Sequence, residues 1–183
     1  MNTTPRKGFT LIELMVVIAI LGFLILAGLS SFNMSLKKSR DSKRKNDLRQ
    51  IAISLEAYQN DHNAYPDAAA GAIKGCADLN GPLKSCDWGG TFKDTNGTVY
   101  MTLLPKDPTD GQTTYLYKSD GIQFQLYSRL ENTLDADIPK NSEEKPRAFS
   151  DVNCAVGAST VYCNYGVASS NISAAQDRAI TYE

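Results

Sequence analysis

Residues 14–29 are all apolar or glycine, and no charged side chain occurs anywhere from residue 14 to residue 36. At about 1.5 Å of rise per residue, a helix through that run is long enough to cross a hydrocarbon core of roughly 30 Å. The pattern then changes. Leu48, Ile51, Ala52, Leu55 and Tyr58 are spaced by three and four, which draws one apolar stripe along a helix. No proline interrupts residues 9–65, so the two patterns predict one helix to about His62. Its first half faces lipid or other helices, and its second half lies against a folded body. Pro66 stops it, with Asn60, Asp61 and Asn63 as terminators.

Beyond Pro66 the composition turns to Gly, Asp, Ala and Asn, which predicts a loop-rich connection through about Gly97. Asn96-Gly97 reads as a turn, and residues 99–104 as a strand or one turn of helix before Pro105. Tyr115-Leu116-Tyr117 reads as a strand, Asp120-Gly121 as a hairpin turn, and the alternation of Ile122, Phe124 and Leu126 as a half-buried partner strand. Residues 160–166 supply a third strand. The expected class is α+β, a long N-terminal helix carrying a small antiparallel sheet.

The net charge of −1 conceals a gradient. Arg6 and Lys7 precede the apolar run, residues 37–49 hold seven basic and two acidic side chains, and residues 50–183 hold ten basic and 17 acidic ones. A polymer of such units brings the basic collar of one copy near the acidic body of another. The collar has no interleaved aromatics, so headgroup or packing contacts are expected of it and a nucleic-acid partner is not.

Candidate chemistry is sparse. His62 is the sole histidine and sits at the helix end as a surface or capping residue, and no P-loop, dinucleotide fingerprint or zinc-protease motif is present. An enzyme is not indicated. The four cysteines fall in two local pairs, Cys76 with Cys86 and Cys154 with Cys163, without CxxC spacing, which argues against a thiolate metal site. In an oxidising compartment each pair closes a short loop, although free thiols and two other connectivities stay open.

Glu13 at the edge of the apolar run is the anomaly, since an unpaired carboxylate at bilayer centre costs about 2.5 kcal/mol or more. A cleaved secretory signal fits the segment poorly: the apolar run is too long, no small-x-small site follows it, and basic residues do. Lys7-Gly8-Phe9-Thr10-Leu11-Ile12-Glu13 closely resembles the class III signal of type IV prepilins and type II secretion pseudopilins. The resemblance implies a leader of residues 1–8, cleavage between Gly8 and Phe9 by a prepilin peptidase, and N-methylation of Phe9. It implies a pilin-like fold, with a transmembrane and filament-core helix over residues 9–36, an amphipathic continuation over 37–62 and a head over 63–183. Cutting after Gly8 leaves the helix attached and creates a positive amine at Phe9. In a filament core of low dielectric, Glu13 of a neighbouring copy is the available counter-charge.

The implied partners are further pilin subunits, minor pilins, the prepilin peptidase, an inner-membrane assembly platform and, before assembly, membrane lipid. The implied location is the inner membrane with the head outside the cytoplasm, then a filament, although the collar alone favours the opposite topology. Pro105-Lys106-Asp107-Pro108 before Tyr115-Leu116-Tyr117 also resembles the body of major pseudopilins. Glu131, Asn132, Asp135 and Asp137 follow the second predicted strand, where similar major pseudopilins carry a calcium loop. Their oxygens suit calcium, the EF-hand pattern is absent, and a solvated acidic loop is the alternative. No other cofactor is expected. The expected function is a structural subunit of a pilus or pseudopilus. The alternative is a binding subunit at a filament tip, such as an adhesin or DNA-uptake pilin.

Overall fold

The structure, a computed structural model, describes residues 8–78, 81–140, 143–174 and 180–182; residues 1–7 of the expected leader lie outside it, as do the side chains of residues 26–31 and 180–182. One helix, α1, covers Leu11–His62. The chain forms two compact units, Met1–Lys38 and Ser39–Glu183.

In the first unit, the described apolar side chains from Phe9 to Ile25 are exposed on every face of the helix. A helix that is apolar all round requires lipid or other helices as its surroundings. Among the described residues, no helix is long and apolar enough to cross a membrane. The span expected from the sequence runs through residues 26–31, whose side chains are outside the description.

In the second unit the stripe of α1 makes the core: Leu48, Ile51, Leu55 and Tyr58 are buried, with Ala52 packed against them. The helix ends where Asn63 takes a left-handed φ of 57° and its N–H donates to the Gln59 carbonyl at 2.7 Å, closing the last turn. Among the described residues, four small antiparallel sheets follow. β1 (Asp67–Ala69) pairs with β2 (Ala72–Lys74), and β3 (Phe92–Lys93) with β4 (Val99–Met101). β5 (Leu116–Ser119), β6 (Phe124–Ser128) and β8 (Tyr165–Ala168) form the three-stranded sheet, with β6 central. β7 (Arg147–Phe149) pairs with β9 (Ile180–Tyr182). Cys76 is bonded to Cys86 and Cys154 to Cys163.

The structure departs from the sequence expectations at three elements. The stretch expected to be loop contains the β1–β2 hairpin, whose two turn residues, Ala70 and Gly71, have φ of 48° and 80°. Alanine rarely adopts that conformation, so the turn left no recognisable signal. β6 is not half-buried: it lies between two strands, and Gln125 and Ser128 are buried along with Phe124 and Leu126. Ile122 is 76% exposed and outside the strand, because the Asp120 carboxylate accepts the N–H groups of Ile122 and Gln123 and keeps both in the turn. The expected third strand, β8, begins at Tyr165 rather than residue 160. Residues ahead of it are drawn off by the Cys154–Cys163 bond and by Asn153, which accepts from the Val161 N–H.

Candidate assembly site

Gly8 and Phe9 precede α1, and the Phe9 side chain is 89% exposed. Thr10 and Glu13 close the first turn reciprocally. Glu13 Oε2 accepts the Thr10 N–H at 2.8 Å and its hydroxyl at 2.7 Å, while the Glu13 N–H donates to Thr10 Oγ1 at 3.3 Å. This is a capping box, which satisfies N–H groups that the start of a helix otherwise leaves unpaired. The Thr-x-x-Glu spacing is a capping signature legible in the sequence itself. The structure thus brings Phe9 and Glu13 into one turn, where they flank an apolar surface with Ile12, Val16 and Val17.

The second unit holds a buried ionic clasp that sequence reading missed. Arg44 is 0% exposed and places Nε and Nη2 on the two oxygens of Asp107, at 2.9 and 3.0 Å. Its Nη1 reaches Asp41 at 2.8 Å and Glu131 at 2.9 Å, and Nη2 also donates to Thr109 at 2.9 Å. Burial is the largest single influence and opposes the charge of Arg44, but Asp107, Glu131 and Asp41 together outweigh it and raise the guanidinium above its ordinary pKa. Burial likewise opposes ionisation of Asp107, and Arg44 with Thr109 holds it below the usual carboxylate range. Asp107 also accepts the N–H of Thr109, two residues on, so that the segment between Pro105 and Pro108 presents its carboxylate to the helix.

Beside the clasp, Arg40 grips both oxygens of Glu131 at 2.6 and 2.5 Å. Lys45 Nζ contacts Asp135 at 2.5 Å and Asp137 at 2.6 Å. Lys43 bonds Asp47 at 2.8 Å, which also accepts the Tyr115 hydroxyl at 2.7 Å. The basic collar, expected to face headgroups or other subunits, therefore spends Arg40, Lys43, Arg44 and Lys45 on carboxylates of its own chain. Arg44 is fully buried and Arg40 and Lys45 are half-buried, which explains the difference, because a desolvated cation requires a partner close by.

His62 stacks on Tyr58 at 4.1 Å between ring centroids and approaches Asp94 at 3.1 Å. Burial pushes Asp94 up, but N–H donors from Thr98 and Asn96 together with His62 and Tyr100 hold it low. His62 thus ties the helix end to the β3–β4 hairpin.

A model of the prokaryotic N-terminal methylation motif matches residues 4–29. Type II secretion system core protein G of Pseudomonas aeruginosa is 31% identical over 128 residues, covering 70% of this chain and 85% of that protein. The chain belongs to the type IV pilin and type II secretion pseudopilin family. Core protein G of Escherichia coli is 37% identical over 108 residues, 58% of this chain and 68% of that protein. The type IV major pilin protein PilA of Myxococcus xanthus is 35% identical over 66 residues, 36% of this chain and 30% of that protein. No solved structure matches significantly. As a member of the pilin and pseudopilin family, the chain is a structural subunit of a pseudopilus or pilus, and its long helix with small antiparallel sheets is the pilin-like arrangement.

In this pilin-like head, the four residues singled out for calcium do not form an open ligand set. Both oxygens of Glu131 are taken by Arg40, Asp135 and Asp137 are joined by Lys45, and the Asn132 N–H donates to Asp41 at 2.8 Å. Among the described residues, no group of three or more His, Cys, Asp or Glu side chains converges to hold a metal ion.

The clasp makes the head acid-sensitive. Arg40 first of all lowers Glu131, and Asp107 and Asp135 are lowered by their cations despite burial. A carboxylate whose folded pKa is depressed stabilises fully above its unfolded value of about 4, and loses that contribution as pH falls through the folded value. The thermal midpoint of the head, followed by circular dichroism, is expected to stay flat from pH 7 to about 5 and to drop below about pH 4. Glu131→Gln is expected to lower the neutral midpoint and make the acid drop shallower.

Proposed function

We propose that the chain is a structural subunit of a type II secretion pseudopilus, made as a precursor, cleaved between Gly8 and Phe9, methylated at Phe9 and polymerised through its N-terminal helix. The observation that carries the choice of pseudopilus is the extent of likeness: core protein G of Pseudomonas aeruginosa is similar over 70% of the chain, well into the head, whereas the Myxococcus pilin is similar over 36%. The apolar helix is held in the inner membrane before assembly, and the two disulfides favour a head on the oxidising side. In the filament, the Phe9 amine of one copy is answered by Glu13 of another, which sets the register of packed helices. The prepilin peptidase and an inner-membrane platform act on the precursor and on assembly.

Deleting the gene from its host is the test. Loss of extracellular enzymes, with their retention inside the envelope and intact surface pili, is expected. Loss of surface pili with normal secretion would assign the chain to a pilus instead.

A further inference from the structure

The loop over residues 131–137 is closed from the helix side at every point where it carries charge. Asp41 accepts the N–H groups of Glu131 and Asn132 at 2.9 and 2.8 Å and so fixes the start of the loop. Arg40 and Arg44 take the Glu131 carboxylate. Lys45 bridges Asp135 and Asp137, while the Asp137 N–H donates to Asp135 at 3.0 Å. The Lys45 side chain is 17% exposed, and its ammonium lies 5.7 Å from the centre of the Tyr165 ring, a second favourable surface for a cation.

We propose that Lys45 is the resident cation of this loop, so that the head orders residues 131–137 with its own ammonium instead of a divalent metal ion. Calcium takes six to eight oxygens at roughly 2.3–2.6 Å, so it needs Asp135 and Asp137 together with further donors in one shell. An ammonium has only three donors and needs few acceptors, each at ordinary hydrogen-bond distance, and two carboxylates provide charge-assisted ones. Lys45 and a calcium ion compete for the same oxygens, and Glu131, the remaining strong donor, is already committed to two guanidiniums. Burial opposes the charge on Lys45, yet Asp135 and Asp137 raise its pKa above the ordinary lysine value, so the ammonium persists at neutral pH. A cation attached to the chain has an occupancy independent of solution composition. A bound ion stabilises only in proportion to the logarithm of its concentration over its dissociation constant. The head therefore keeps its loop when calcium is scarce, whichever filament it enters.

The test uses the full chain in a non-ionic detergent, with thermal unfolding followed by circular dichroism in the presence of calcium chloride or of a chelator. The wild-type midpoint is expected to be the same in both, with no retained calcium in the native mass spectrum. Lys45→Gln is expected to lower the midpoint by several degrees in chelator and to recover part of the loss when calcium is added. Lys45→Arg, which keeps the charge, is expected to stay indifferent to calcium and serves if the glutamine variant does not fold. A wild-type midpoint that falls on chelation overturns the proposal, as does a Lys45→Gln variant with the wild-type midpoint and no calcium response.

Discussion

Replacing Arg44 with alanine is expected to destabilise the head by about 3–5 kcal/mol, the cost of leaving buried carboxylates without their counter-ion. Arg44 is fully buried, and Asp107 beside it is nearly so. Removing the guanidinium takes the Arg44 donor from Asp107 Oδ2, leaves Oδ1 only its neutral donors Thr109 and Thr113, and breaks one bond each to Asp41 and Glu131. Arg44→Lys keeps a charge but cannot fork onto Asp107, and is expected to fall between the two. The double change Arg44→Met with Asp107→Leu removes both charges of the most buried pair together, and is expected to be less damaging than Arg44→Ala. Urea unfolding followed by the fluorescence of Trp88, the sole tryptophan, which packs 5.8 Å from Tyr115 in the same core, measures all three. A Trp88 transition in Arg44→Ala that matches wild type would mean that the clasp does not hold the head to α1.

The second large effect lies at the other end of the helix. Glu13→Val is expected to leave cleavage after Gly8 largely intact and to abolish filament incorporation, read as loss of the chain from the sheared filament fraction while its membrane level is kept. The capping box complicates a valine, because the variant also removes the Glu13 side-chain bonds to the Thr10 N–H and hydroxyl, although Thr10 still accepts the N–H of residue 13. Glu13→Gln separates the two roles. Glutamine retains capping capacity toward the Thr10 N–H but carries no charge. If the negative charge answers a neighbour's amine, Glu13→Gln fails to assemble as valine does. Normal filaments from Glu13→Gln would assign the residue to helix capping alone.

The parts of this molecule that were legible in the sequence are those written in local patterns. The proline-free run to Tyr65 and the stripe from Leu48 to Tyr58 specified α1, and Asp120-Gly121 and Asn96-Gly97 marked two hairpin turns, where Gly121 and Gly97 take φ of 86° and 84°. Features that depend on distant partners were not legible. Arg44 sits among six other basic residues and reads as one of a solvated group, and nothing local says that Asp107, 63 positions later, will bury it. The same holds for Glu131 and Asp135, which resemblance to major pseudopilins marked as calcium candidates and to which the helix supplies cations instead. β7 has its partner, β9, more than 30 residues onward, and neither strand is longer than three residues, so no period could declare them. Ala70 shows the opposite failure, in which a local turn is made by a residue that does not normally signal one.

The fold and the clasp serve one claim, that the apolar helix is freed at Phe9 for packing with other copies while the head stays anchored to its far end. The intact mass of the protein extracted from membranes tests it most directly. A chain that begins at Phe9, lacks residues 1–8 and carries one added methyl group is the result expected. A chain that retains Met1 through Gly8 would contradict it.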